Sequence, residues 1–430
     1  MEIERLYALF RNSAGITTDS RAVKKGEIFF ALRGPSHDGN RHALTALEAG
    51  ALAAVVDDPS LSGERIIVVN DVFETMSSVA ACHRRRLQMP VIGVTGTNGK
   101  TTTKELLTAV LSRQGRVHST PGNFNNHIGV PLTLLSAPDD AAFLVVEMGA
   151  NHMGEIAALC GTAMPTHGII TNIGTAHIEG FGSFENVRKA KSELYQSLKS
   201  NGGTIIYNDE NPILAEMAAG VAHAVPYSSP GGHSLRAVPD EGEGMLLGVR
   251  GEIDGTEYRF TTGLFGLYNI DNVRAAMAAG LLFGVPADQI IDAVSAYRPS
   301  NNRSQVTETG RNTVIRDAYN ANPSSMEKAI ASFAALKADR KMVILGDMLE
   351  LGSESVPGHA AVIRQLRQLG EIKAVLIGPH FREAAEGFPA MLFGSSEAAA
   401  EWLRSESPEG YTILVKGSRG IMLEKVYPLL

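Results

Sequence analysis

Cysteine is almost missing from this chain. Cys82 and Cys160 are the only two, far apart and in no CxxC pair. That excludes a disulfide framework and a structural zinc site, and leaves two plain thiols suited to a reducing, cytoplasmic setting. Long apolar runs are missing too. No stretch of about 18 uncharged apolar residues occurs, so no membrane span or insertion is expected. The start, Met1-Glu2-Ile3-Glu4-Arg5, carries acids and does not resemble a secretory leader. Positive charge is in deficit: the net charge is −7 and the pI near 6.0. A field of that sign disfavours nucleic acid and anionic membranes, while leaving room for local basic pockets. Repeats and low-complexity tracts are absent. With 44% hydrophobic and 20% charged residues over 430 positions, two to four ordered domains are expected.

Three blocks emerge, at 1–89, 90–298 and 299–430. The first alternates short strands (Ile28–Leu32, Ala53–Val56, Ile66–Val69) with helical stretches such as Arg41–Ala49. It ends in a basic helix, Ala81–Leu87, whose Arg84-Arg85-Arg86 reads as a solvated face. The second opens on the buried-strand signal Val91–Val94 and continues with strand-like runs at Ala142–Val146, Gly168–Ile173 and Thr204–Tyr207. Helical patterns separate these runs, which predicts an α/β fold with a parallel sheet. A β-rich insert is expected at 222–262, with Asp254-Gly255 as its hairpin turn. The third block repeats the alternation, with strands at Thr313–Arg316, Met342–Leu345, Ala374–Ile377 and Thr412–Val415. Ser324 and Glu327 fit a capping box there. Polar clusters recur at the carboxyl ends of these strands, where open parallel sheets bind ligands.

The sharpest cluster runs from Gly93 through Thr95, Gly96, Thr97, Asn98, Gly99, Lys100, Thr101 and Thr102, between a buried strand and an amphipathic helix. Glycines let backbone N–H groups converge on phosphate oxygens, and the helix N-terminus adds a positive dipole. Lys100 would reach the β/γ-phosphates and Thr101 a Mg²⁺ ion. The spacing departs from GxxxxGK[ST], since Val94 stands where the first glycine belongs.

Phe143–Glu147 is a buried strand ending in an acid, so Glu147 is placed to bind Mg²⁺ beside that loop; a lone exposed strand-end Glu is the plainer alternative. His177 follows another strand end. It would ligate a cation through a neutral ring nitrogen, although a satisfied loop histidine fits equally well on its own. In the next helix Val187, Ala190, Leu194 and Leu198 share an apolar face, and Lys191 falls on it. Burial lowers a lysine's pKa, and a neutral amine can take up carbon dioxide as an anionic carbamate. Position alone is equally met by a snorkelling lysine or a simple ion pair.

Together these stretches resemble the Mur ligase family, whose members build the peptide stem of the bacterial cell wall. The resemblance spans essentially the whole chain. It implies a three-domain architecture: an N-terminal UDP-binding α/β domain, a central P-loop ATPase domain and a C-terminal Rossmann-like α/β domain, with hinges near 88–90 and 298–301. It also implies a carbamoylated Lys191, two Mg²⁺ sites made by Thr101, Glu147, His177 and Lys191, and ATP as phosphoryl donor. Asp19, Ser20 and Arg21 match residues that approach UDP. The run Asn123–Pro131, with Asn126, matches a loop facing ATP and the acyl substrate. Asn269 and Asn272 match an asparagine pair near adenine, although the family often has His where this chain has Tyr268. Arg303 and Asp317 match residues that close over the nucleotide. Asp317–Pro323, Leu345–Gly352 and Val415–Gly420 resemble the branch that adds D-alanyl-D-alanine to a UDP-muramoyl tripeptide. The Tyr-Ala-His-Thr-Pro and Asp-Asn-Pro-Arg motifs of the third-residue-adding branch do not occur. Asn322, Asp347, Lys416, Ser418 and Arg419 are then substrate-side candidates. Lys416 and Arg419 would hold the dipeptide carboxylate, where otherwise they read as a solvated basic turn. A monomer acting on small molecules is expected. The rival readings are a ligase for another amino acid, including one that extends folate, and a non-catalytic nucleotide switch.

Overall fold

The computed structural model describes residues 3–175, 178–240 and 244–430. Three parallel or mostly parallel sheets follow one another along the chain, each flanked by helices. In the first, Ile16–Thr17, Ile28–Phe30, Ala53–Val56 and Ile66–Val68 lie side by side, all parallel. The helical stretch expected at Arg41–Ala49 is split into a 3₁₀ turn, Gly39–His42, and a helix, Ala43–Glu48. Asp38 starts the turn by accepting the Asn40 N–H.

The helix closing this block runs over Val72–Arg84, capped by Asp71, and stops earlier than expected. Its arginines do not form a single solvated face. Arg84 is buried. Its guanidinium donates to the carbonyls of Ala163 (2.8 Å), Met164 (2.8 Å) and Leu87 (3.0 Å). Two of those carbonyls end the helix Glu155–Ala163, so a buried cation meets the negative end of a helix dipole. Replacing Arg84 by Met would strand three carbonyls, and is expected to destabilise the junction by about 3 kcal/mol, read as a lower urea midpoint. Arg85 stays exposed, and Arg86 pairs with Glu4 over the Tyr7 ring.

The second sheet has six parallel strands, in the spatial order Ala224–Pro226, Thr204–Tyr207, His167–Ile170, Val91–Thr95, Phe143–Glu147, Val117–Ser119. The chain leaves Val91–Thr95 to build one side and then crosses to build the other, so that strand marks the topological switch point. The neighbouring strand stops at Ile170 rather than Ile173 because Thr171 and Asn172 turn their side chains onto Asn98. Behind the sheet, Leu106, Leu107, Val110 and Leu111 of the helix Lys100–Leu111 are fully buried. They face the helix Ile270–Leu282, where Gly280 allows close approach: a Cβ there would sit 2.6 Å from Val110. This packing fixes the first turn of the helix Lys100–Leu111 in space.

The insert is a separate three-stranded antiparallel sheet, Leu235–Asp240, Leu246–Ile253 and Thr256–Phe265. Asp254 and Gly255 form its tight turn with φ of 48° and 79°, both left-handed as a two-residue hairpin requires. Ala224–Pro226, expected in the insert, joins the main sheet instead.

The third sheet is ordered Gln305–Glu308, Thr313–Asp317, Thr412–Lys416, Lys341–Gly346, Lys373–Ile377, Met391–Phe393; only the first strand is antiparallel. The two edge strands were not anticipated, being short and half-exposed, without a strong apolar run. The expected Ser324/Glu327 capping box is replaced by one between Asn322 and Ser325, because Pro323 takes the first helical position. Glu105, on the helix Lys100–Leu111, accepts hydrogen bonds from Tyr297 and from Asn301 (2.8 Å), tying that helix to the connection between second and third blocks. Among the described residues, no helix is long and apolar enough to cross a membrane.

Candidate active site

A cleft of about 570 Å³ lies where the carboxyl ends of the second and third sheets meet. Its walls include Thr97–Thr102, Asn126 and Glu147 from one side and Arg303, Asp317 and Asn322 from the other. Gly96 and Gly99 have φ of 141° and 82°, and a Cβ at Gly96 would meet the Thr171 hydroxyl at 2.0 Å. Only glycine lets the loop curl this tightly against its neighbour strand. Lys100 folds back so that Nζ donates to the carbonyls of Gly96 (2.8 Å) and Thr97 (3.1 Å). Its pKa is pushed down to about 8, by burial first; Arg303 adds to the shift and Glu147 opposes it.

Glu147 is buried, and both carboxylate oxygens are held. The Thr101 hydroxyl donates to Oε2 (2.9 Å) and Asn125 Nδ2 to Oε1 (2.7 Å). A hydroxyl and a carboxylate are hard oxygen donors of the type Mg²⁺ takes, alongside phosphate oxygens and water. Among the described residues there is no group of three or more His, Cys, Asp or Glu of the kind that would cage a metal by itself. This donor set suits an ion shared with a nucleotide. His177 lies outside the described residues.

Lys191 is 3% exposed, on the buried face of the helix Phe184–Asn201 with Val187, Ala190, Leu194 and Leu198. Its Nζ has the Ala150 carbonyl at 3.4 Å and lies 5.4 Å from the Phe181 ring centre. Burial pushes its pKa down to about 7, with Lys100 adding to the shift and Glu155 and Glu193 opposing it. A side chain this buried does not fit a solvated, snorkelling lysine.

The remaining expected residues divide. Asn269 and Asn272 form a buried chain: Asn272 Nδ2 donates to Asn269 Oδ1 (2.8 Å), and the Thr103 hydroxyl to Asn272 Oδ1 (3.1 Å). Asn126 uses Oδ1 to cap the helix Gly129–Leu135 through the Ile128 and Gly129 N–H groups. Arg303 stacks 3.7 Å over the Tyr319 ring, and its buried Nε has no partner. Asp317 and Lys416, register neighbours on adjacent strands, form a buried ion pair at 2.7 Å at the cleft wall.

Others sit away from the cleft. Thr95 donates its hydroxyl to the Met148 carbonyl beneath the loop. Asp347 is fully buried and accepts the N–H groups of His380 (3.0 Å) and Phe381 (2.8 Å). These bonds hold it against the first turn of the helix Pro379–Ala384, and it is not among the residues lining the cleft. Ser418 is likewise buried and accepts the Leu349 N–H. Arg419 is exposed, 3.4 Å from Glu424. Asp19 and Arg21 pair with each other at 2.8 Å in the first block, outside the cleft walls, and Arg21 holds Asp19 down to about 2. Ser20 lies in the same turn. Asn125 lies in the run Asn123–Pro131 matched to the ATP-facing loop, whereas sequence reasoning gave no site role to Asn172, Tyr319 and Ser324, which also line the cleft.

The chain matches three family models in succession: Mur ligase family, catalytic domain, over residues 12–92; Mur ligase middle domain over 94–280; and Mur ligase, glutamate ligase domain, over 302–419. It belongs to the Mur ligase family. Among curated proteins it is similar to the UDP-N-acetylmuramoyl-tripeptide--D-alanyl-D-alanine ligase of Bacillus subtilis, 34% identical over 96% of this chain and 92% of that one. The ligase of the same name from Escherichia coli is 32% identical, over 96% and 92%. Among solved structures, MurF from Acinetobacter baumannii matches with a TM-score of 0.84 at 28% identity, covering 98% of this chain and 97% of that one. MurF ligase from Thermotoga maritima in complex with ADP matches with a TM-score of 0.84 at 26% identity, over 98% and 97%.

Proposed function

We propose that this chain joins D-alanyl-D-alanine to UDP-N-acetylmuramoyl-tripeptide, converting ATP to ADP and phosphate, as a cytoplasmic monomer. The observation that carries the reading is the cleft in which the phosphate loop, Glu147 and Arg303 converge from two domains. The full-length similarity to ligases of that name and to an ADP complex supports it.

The tripeptide carboxylate attacks the γ-phosphorus of ATP, ADP leaves, and an acyl phosphate remains. The dipeptide amine then attacks the acyl carbon, and the tetrahedral adduct collapses to an amide with release of phosphate and a proton. Lys100 leaves its two loop carbonyls to stabilise charge on the transferring phosphoryl group. Thr101 and Glu147 would hold one Mg²⁺, and His177 with carbamoylated Lys191 would hold a second; bound there, magnesium would supply positive charge that offsets the repulsion of two anionic reactants. Asn126 borders the acyl site. Asn269 and Asn272 line the nucleotide end of the cleft, and Arg303 closes over it. The UDP moiety is assigned to the turn of Asp19, Ser20 and Arg21. Lys416 is committed to Asp317, so it orders the wall that receives the dipeptide, while exposed Arg419 exchanges its contact with Glu424 for the dipeptide carboxylate.

The test is phosphate release by the purified chain with UDP-muramoyl tripeptides ending in lysine or in a diamino diacid. Release that requires D-alanyl-D-alanine, and is not supported by single amino acids, is expected. Release with a single amino acid in place of the dipeptide would overturn the assignment.

A further inference from the structure

Asn98 occupies the middle of the phosphate loop, two residues before Lys100, yet its side chain does not turn to a phosphate position. Its Nδ2 donates to Ser324 Oγ (3.0 Å), the Ser324 hydroxyl donates to Asn322 Oδ1 (2.9 Å), and Asn322 Nδ2 donates back to Asn98 Oδ1 (2.8 Å). Three hydrogen bonds thus close a ring in which every donor points the same way round, an arrangement whose members polarise one another. The ring spans the two domains. Asn322 and Ser324 begin the helix Pro323–Ala334 of the third block, whereas Asn98 belongs to the second.

The backbone of Asn98 is gripped from the opposite side. Its N–H donates to Asn172 Oδ1 (3.0 Å), and its carbonyl accepts from the Thr171 hydroxyl (2.5 Å) and Asn172 Nδ2 (3.0 Å). One loop residue is therefore clamped between a strand end of its own domain and the helix cap of the other. Asn322 serves both sides at once, since its Oδ1 also accepts the Ser325 N–H that starts the helix.

We propose that Asn98, Asn322 and Ser324 are positioning residues: a neutral latch through which closure of the C-terminal domain sets the phosphate loop. With the domains apart, Asn98 keeps its grip on Thr171 and Asn172 but offers its amide to water. On closure, the helix cap fixes that amide and with it the N–H groups of the next residues, including Lys100. No charge is involved, so the latch is insensitive to ionic strength. The inference rests on the ligase reading for its kinetic readout alone; closure is measured separately.

The test uses the full chain. Asn322→Asp keeps the cap, because a carboxylate still accepts the Ser325 N–H and the Ser324 hydroxyl. It removes the residue-322 donor to Asn98 Oδ1, so the Asn98 amide must turn over to face the carboxylate and the three-bond ring can no longer close. The account predicts kcat lower by roughly tenfold or more, with the KM for ATP changed less than about threefold. It also predicts that a non-hydrolysable ATP analogue with Mg²⁺ and UDP-muramoyl tripeptide lowers the radius of gyration of the parent and not that of the variant. Wild-type kcat with wild-type compaction would overturn the proposal, as would a fall in kcat with compaction intact. Should Asn322→Asp melt early, Ser324→Ala leaves the cap untouched and decides: unchanged kcat and compaction refute the latch. If the parent forms no amide, the ligase reading fails, while the compaction measurement still judges the latch.

Discussion

Lys100→Ala is expected to lower ADP release by roughly 10³-fold, with little change in melting temperature. In this structure Nζ bonds only carbonyls of its own loop, so its removal costs the fold little. In the proposed mechanism it meets the transferring phosphoryl group, whose three oxygens gather charge, and in a half-buried cleft one fixed cation weighs more than in bulk solvent. Arginine is not an equivalent replacement, because its planar fork differs in shape from the compact ammonium that bonds the two loop carbonyls. The pKa near 8 sets a sign: in the free enzyme the ammonium is present below that pH and lost above it, so the rate at limiting ATP should decline as pH rises through about 8. The KM and kcat of Lys100→Ala, measured with a thermal melt of the same sample, check the prediction.

Lys191→Ala is expected to lose nearly as much activity, on the order of 10²- to 10³-fold, and to regain part of it with added formate or acetate. On the carbamate proposal, alanine leaves a pocket where an anionic ligand is needed, and a small carboxylate can place its oxygens there. A lysine that merely packed against Phe181 would show no such rescue. The pH dependence follows from the depressed pKa. Below about 7 the amine is protonated and cannot react with carbon dioxide; above it the neutral amine can. Carbamate occupancy should therefore rise from pH 6 to pH 8 at fixed dissolved carbon dioxide, read as a mass gain on Lys191 in the intact protein. Between about 7 and 10.5 the unfolded chain holds a proton that the folded, unmodified protein has released. Stability of the carbon-dioxide-free protein should rise with pH across that window, and less steeply in Lys191→Ala.

Much of this was legible in the residues. The period of the apolar positions placed Lys191 inward, because a helix repeats every 3.6 residues and Val187 and Leu194 fix its face. The phosphate loop announced itself because few other uses need Gly-Lys-Thr after a buried strand. The Asp254-Gly255 turn was readable for the same reason: two consecutive positive φ angles admit few residue types. What escaped was set by contacts distant in sequence. Arg84 looks like one of three solvated arginines until the end of the helix Glu155–Ala163 supplies its acceptors. Asp347 sits in a motif that invites a substrate role, yet the helix Pro379–Ala384 claims both of its oxygens. Lys416 reads as a free cation until register places it against Asp317. Asn98 matched a nucleotide motif, and nothing local marks it as the meeting point with Asn322, 224 residues away.

The central claim is that a carboxylate oxygen of the tripeptide becomes bonded to phosphorus before the amide forms. The direct test supplies UDP-muramoyl tripeptide labelled with ¹⁸O in its terminal carboxylate, together with ATP and D-alanyl-D-alanine, and weighs the phosphate released. One ¹⁸O atom in each phosphate is the expected result. Unlabelled phosphate accompanying amide formation would contradict it.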